Sequence, residues 1–194
     1  MFRKILFLLL AISCYTSLLG LDTSSSTITT AADTSHLRVS LLTCGPGDSE
    51  VWEVFGHTAI RVIDSQHHLD LVYGYGTFDF QPGFEIQFMR GKLLYSISVV
   101  EFASFMPEYV IAKRSVEEQE LLLDGAQKES MYAFLNWNAE PANRYYKYDY
   151  YRDNCATRVR DVIDRILHGN LRAVAQGPAA MTWRAHTLRL TAED

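Results

Sequence analysis

The sequence predicts an α+β domain, because hairpin-type strands and amphipathic helices are mixed along one chain of 194 residues. Three observations carry that expectation. His57 to Asp64 and Leu69 to Tyr75 are strand-like runs separated by the polar turn Ser65 to His68, the pattern of a β-hairpin. Asp124 and Gln127 form a capping-box start for a helix through Trp137, with Met131, Phe134 and Leu135 on its apolar face. Val159, Val162, Ile163, Ile166 and Leu167 recur at helical spacing behind Cys155, and Gly169 closes that segment.

The other elements follow in chain order. Residues 1–21 read as an export signal: Arg3-Lys4 supply the positive region, and an apolar run begins at Ile5. Ser13, Thr16 and Ser17 interrupt that run, which favours a cleaved signal over a membrane span. Ala11-Ile12-Ser13 before Cys14 makes only a weak lipobox. Residues 22–36 are Ser/Thr-rich and read as a flexible leader. A strand is predicted from Leu37 to Thr43, then turn chemistry at Cys44-Gly45-Pro46-Gly47, then a short helix from Glu50 to Phe55 capped by Asp48. In the strand that starts at His57, Ile60 and Val62 share one face, and His57, Ala59 and Arg61 the other. Gly76 to Gly83 reads as a loop, Phe84 to Arg90 as a short helix and Lys92 to Val100 as a strand. Glu101 to Ala112 is helical with Pro107 as a break, and Glu118 to Leu123 is a further strand. Tyr145 to Tyr151 holds five tyrosines in seven residues and is predicted to be extended, as core packing or as an amphipathic wall.

Composition narrows the function. Apolar residues make up 48% and charged residues 21%, a globular balance with enough apolar content for a sizeable core. A net charge of -5 argues against a nucleic-acid partner, since phosphate binding needs a basic surface. The cysteines and histidines are too scattered along the chain for ligand spacing, so neither a metal site nor a cofactor is expected.

Chemistry points to Cys155. In Asp153-Asn154-Cys155-Ala156-Thr157 the thiol falls in the first turn of a helix, where free backbone N–H groups and the helix dipole favour the nucleophilic thiolate. A disulfide with Cys44 is the competing reading, and the first-turn position favours a free thiol. A thiolate needs a base. His36 lies in the leader, His67 and His68 in a turn, His168 at a helix end and His186 in the tail, whereas His57 opens a core-type strand. Cys155 and His57 are therefore the candidate catalytic pair. Asp79, Tyr73 and Tyr75 are candidates for a third group that orients the histidine, and Asn154 is either an oxyanion helper or the helix cap. Arg90 and Lys92 are candidates to meet lipid phosphate, against a solvated-surface reading.

A set of motifs in fixed order carries a family resemblance. They are Leu42-Thr43-Cys44-Gly45-Pro46-Gly47, Phe55-Gly56-His57-Thr58-Ala59-Ile60-Arg61-Val62, Tyr75-Gly76-Thr77-Phe78-Asp79-Phe80, Arg90-Gly91-Lys92-Leu93, Asn143-Arg144-Tyr145-Tyr146 and Asp153-Asn154-Cys155-Ala156-Thr157-Arg158. Together they resemble the N-terminal periplasmic domain of a bacterial lipoprotein N-acyltransferase family, over about Leu37 to Asp164. The resemblance implies a permuted papain-like thiol fold, a small antiparallel sheet packed with helices, in which the histidine precedes the cysteine. It implies transfer of an acyl chain from a lipid donor, through a thioester on Cys155, to the N-terminal amine of a diacylglyceryl lipoprotein. It also implies an exported protein in the periplasm or at the periplasmic face of a membrane, with lipid, lipoprotein N-terminus and membrane surface as partners.

The domain is accordingly expected over residues 37–169. The stretch 170–194, including Gln176-Gly177-Pro178, has no counterpart in the motif set and reads as an altered or truncated closing part, since family members continue into a membrane-embedded region. Two other functions share the same residues: a papain-like thiol amidase or peptidase of the cell envelope, and an inactive envelope domain.

Overall fold

Side chains alternate along the central strands so that each face of one sheet has its own apolar stripe. The computed structural model describes residues 35–50, 53–78 and 94–192. Within them the strands are β1 (Leu37–Cys44), β2 (His57–Asp64), β3 (Leu69–Thr77), β4 (Leu94–Glu101), β5 (Val116–Glu120) and β6 (Tyr145–Lys147). They form a sheet in the order β5-β1-β2-β3-β4-β6, with every pairing antiparallel. The helices are α1 (Phe102–Ile111), α2 (Gly125–Ala139), α3 (Cys155–Ile166), α4 (Asn170–Val174) and α5 (Trp183–Thr191). The protein is α+β, as the sequence predicts.

The larger core lies on the sheet face of Val39, Ile60, Val62, Tyr73, Tyr75 and Ile97. It is closed by Met131 and Leu135 of α2 and by Val159, Val162, Ile163 and Ile166 of α3. The opposite face buries Leu42, Ala59 and Val72 under Phe102 and Phe105 of α1. Arg61 projects on that second face, stacked 3.4 Å from the centre of the Phe102 ring and paired with Asp70 and Glu118. The hairpin β2–β3, the capping box of Asp124 with Gln127, and the face assignments along β2 all follow the sequence pattern.

Several elements differ from expectation, three of them for a local reason. Helix α1 runs through Pro107. The missing proline N–H removes one bond to the preceding turn, and the packed Phe102, Phe105 and buried Tyr109 hold the helix in place. Strand β5 begins at Val116, two residues earlier than predicted, because Gly45 N–H donates to the Ser115 carbonyl and Cys44 then pairs with Val116. Its row of exposed glutamates suits an edge strand. The tyrosine run is extended only through Lys147, because the Asp149 carboxylate accepts from the N–H groups of Tyr151 and Arg152 and turns the chain.

The expected helix from Glu50 appears as a single 3-10 turn at Glu53–Phe55. The expected signal and most of the leader (1–34), the loop from Asp79 and the short helix 84–90 lie outside the described residues. Beyond residue 169, α5 seats on the loop after β6: the Trp183 and Tyr151 rings stack 5.3 Å apart at 7°, and the Tyr151 and Thr187 hydroxyls lie 3.1 Å apart. Among the described residues no helix is long and apolar enough to cross a membrane.

Leu135 is fully buried where α2 meets the sheet. Leu135→Ala is expected to lower the unfolding free energy by about 2–5 kcal/mol in a urea titration, because a cavity replaces packed methyl groups.

Candidate active site

One glycine lets the chain enter β2. Gly56 has φ 66°, and a Cβ there would stand 2.5 Å from the Cys44 carbonyl oxygen. With no side chain in the way, His57 pairs directly with Cys44 across β1 and β2. The loop between them is pinned by a buried ion pair. Arg114 donates from Nη1 to Glu53 Oε1 at 2.8 Å and from Nε to the Gly45 carbonyl at 3.0 Å. Glu53 Oε2 in turn accepts from the Ser49 N–H at 3.2 Å. Its satisfied partners make the pair a fixed brace beside His57.

The brace also sets the electrostatics. Burial, reinforced by the Arg114 charge, lowers the His57 imidazole to about 4, so the ring is neutral at neutral pH and its nitrogen lone pair is free to act as a base. Burial pushes the Cys44 thiol up, with a Tyr109 hydrogen bond and the Arg114 charge opposing that shift. Cys44 is therefore an inert buried thiol.

Strand β3 supplies the room. A Cβ on Gly74 would lie 3.4 Å from His57 Nε2, and one on Gly76 would lie 3.9 Å from the Cys155 Cβ. The β2–β3 ladder ends at Ala59–Gly74, two residues short of His57. Gly76 has φ 100° and lies at a register shift between Tyr75 and Thr77, a local bend of the strand end beside α3. His57 thus lies against Gly74 and Cys155 against Gly76. Among the described residues no hydrogen bond joins His57 and Cys155 directly, and both Cys155 and Cys44 are free thiols.

Cys155 is the first residue of α3. Asn154 caps the helix: its Oδ1 accepts from the Thr157 N–H at 2.9 Å, and its own N–H donates to Thr157 Oγ1 at 2.8 Å. Its side-chain amide donates to the Tyr150 carbonyl at 2.7 Å. Asn154 is therefore occupied as the helix cap. Asp153 holds Arg158 in a two-pronged pair, and the Arg158 guanidinium lies 4.0 Å from the centre of the Tyr146 ring. Aromatic rings gather beside the thiol. Tyr95 and Tyr148 stack at 4.3 Å, Phe78 meets Tyr95 at 5.2 Å, and the Tyr146 and Tyr148 phenols interact electrostatically with Cys155. The Tyr146 hydroxyl is buried and has no hydrogen-bond partner among the described residues. A cleft of about 410 Å³ opens nearby, lined by Tyr75, Asn138, Arg152, Asp153 and Arg158.

Tyr73 and Tyr75 do not orient the histidine. Tyr73 pairs with Ile60, on the face opposite His57, and both hydroxyls donate into α2, to Asn136 Oδ1 and Asn138 Oδ1 at 2.7 Å each. Asp79, Arg90 and Lys92 lie outside the described residues. The structure adds Arg114 and Tyr109, which the sequence did not single out. Arg114, in the turn between α1 and β5, acts on Cys44 and His57, and Tyr109 of α1 acts on Cys44; nothing in their local sequence signals it.

An α+β sheet domain with a free cysteine opening a capped helix, and a half-buried histidine at the start of a central strand, defines the class. The family model of the Lnb N-terminal periplasmic domain matches residues 24–190, and the chain belongs to that family. The match takes in α4 and most of α5, in the stretch the motif set did not cover. Family membership gives a periplasmic location. No curated protein and no solved structure matches the chain.

Two outcomes follow from this geometry. Gly56→Ala is expected to cost at least about 1–3 kcal/mol in chemical denaturation, through positive φ together with the clash on the Cys44 carbonyl. In Cys155→Ala protein, the His57 ring is expected to titrate near 4 by NMR, and a value at or above 6.5 would contradict its burial beside Arg114. The unfolded histidine takes up a proton near 6.5 while the folded one resists until about 4, so His57 makes stability fall as pH drops through that window.

Proposed function

We propose that this domain is a thiol acyltransferase that moves an acyl chain from a lipid ester to the N-terminal amine of a lipoprotein. The observation that carries the reading is the free Cys155 thiol at the first position of a capped helix, against Gly76, with the neutral His57 against Gly74. Membership of the Lnb N-terminal periplasmic domain family supports the choice of reaction.

In the first step His57 takes the thiol proton as Cys155 Sγ attacks the ester carbonyl carbon. A C–S bond forms, the ester C–O bond breaks, and the leaving alkoxide receives the proton from the imidazolium. In the second step the lipoprotein amine attacks the thioester carbonyl. The C–N bond forms, the C–S bond breaks, and the amine proton passes through His57 back to sulfur. The oxyanion of each step is stabilised by backbone N–H groups at the start of α3 and by the Tyr146 hydroxyl, which has no hydrogen-bond partner among the described residues. The aromatic group of Phe78, Tyr95, Tyr146 and Tyr148 gives the acyl chain an apolar wall. Val110 and Ile111, 67% and 81% exposed, end the helix that leads to Arg114 and would meet a lipid surface. The permuted papain-like arrangement, with histidine ahead of cysteine, belongs to this proposal.

An activated acyl-ester probe is expected to add one acyl mass to Cys155, detected by peptide mass spectrometry. The adduct should vanish in Cys155→Ala and fall by about 10²-fold or more in rate in His57→Ala. Transfer from the adduct to a diacylglyceryl peptide amine supports the acyltransferase, and release only to water would assign a hydrolase instead.

A further inference from the structure

At the opposite end of β2 from His57, three ligand-type side chains converge. We propose that His36, Asp64 and His67 form a binding site for a divalent transition-metal ion, with zinc as the reference ion. Their ligand atoms all lie within 4.8 Å of one another. His67 Nδ1 is 2.7 Å from Asp64 Oδ2, and His36 Nε2 is 3.5 Å from Asp64 Oδ1. Neighbouring ligands around a tetrahedral zinc with bonds of about 2.0–2.1 Å are about 3.3 Å apart, so small side-chain rotations would admit an ion. Two imidazoles and one carboxylate are a ligand set suited to zinc and its neighbours, and three protein ligands leave a position for water.

The surrounding structure holds each ligand in place. Asp64 is buried and its Oδ1 accepts from the backbone N–H groups of Gln66 and His67, both at 3.0 Å, which fixes the carboxylate at the hairpin turn. The His36 carbonyl accepts from the Ser65 N–H at 3.1 Å and the Ser65 hydroxyl at 2.9 Å, which ties the segment before β1 to the same turn. His36 presents Nε2 to Asp64 while its Nδ1 faces Glu129 Oε1 of α2 at 3.8 Å. A carboxylate behind the second ring nitrogen is the arrangement that orients a metal-binding histidine. The half-buried His36 ring and the exposed His67 ring already meet edge to face, 5.9 Å apart.

A bound ion would clip the start of the domain to the β2–β3 hairpin. Seven residue steps along β2, about 23 Å, separate this cluster from His57, so the clip is independent of the Cys155 chemistry.

Isothermal titration of the exported chain with zinc, in a Cys44→Ala/Cys155→Ala background that removes the thiols, is expected to show one site of micromolar or tighter affinity. His36→Ala and His67→Gln should each weaken it at least tenfold. His67→Gln keeps the backbone N–H that caps Asp64, so the hairpin is spared. Cobalt titration of the same background should give a visible absorption band that His67→Gln removes. In the parent chain, the NMR signals of the His36 and His67 rings should shift together as zinc is added, whether or not the variants fold. The proposal is overturned if no binding appears at 100 μM zinc, if binding survives both substitutions unchanged, or if zinc leaves those two ring signals unmoved.

Discussion

Space on β3 governs the candidate site. Gly74 and Gly76 place no side chain where the His57 ring and the start of α3 approach the strand, and a Cβ at Gly74 would already be in contact with His57 Nε2 at 3.4 Å. The strand also cannot retreat. It is hydrogen-bonded between β2 and β4, and its alternate side chains Tyr73 and Tyr75 are fully buried and anchored into α2. The same strand therefore does two jobs by parity: its tyrosines lock the core, and its glycines leave room for a histidine and a cysteine.

Electrostatics then separates two thiols with the same chemistry. Cys44 is sealed between β2 and β5, where burial holds it as a thiol. Cys155 opens α3 with its helix start capped by Asn154 and braced by the Asp153–Arg158 pair, so the first-turn N–H groups stay aligned. Arg114 contributes at a distance. Burial is the larger cause of a neutral His57 ring; Arg114 adds its charge and holds the loop through Glu53, leaving an imidazole that accepts a proton rather than one that already carries it.

Local patterns were legible in the sequence, and long-range register was not. The β2–β3 hairpin, the Asp124 capping box and the Cys155 helix each depend on residues within one element, and each stands where the pattern puts it. Tyr73 and Tyr75 show the limit. Whether they share a face with His57 depends on Ala59 pairing with Gly74, which no local pattern fixes. Arg114 escaped for the same reason, since it reaches His57 only because β5 lies beside β1. The scatter of the cysteines and histidines along the chain argued against a metal site, yet the pairing of Leu37 with Asp64 brings His36 to Asp64 and His67. Pro107 and Asp149 are the converse, strong local signals whose effect was settled by packing and by a side-chain turn.

The most direct test is the rate of Cys155 alkylation by iodoacetamide in Gly74→Val protein, with circular dichroism and melting used to verify the fold. If the glycine stretch sets the approach of imidazole to thiol, a branched side chain at Gly74 displaces His57 and the rate falls by about 10²-fold, to the level of His57→Ala. A folded Gly74→Val protein that alkylates at the parent rate, or a parent rate already equal to that of His57→Ala, would contradict the account.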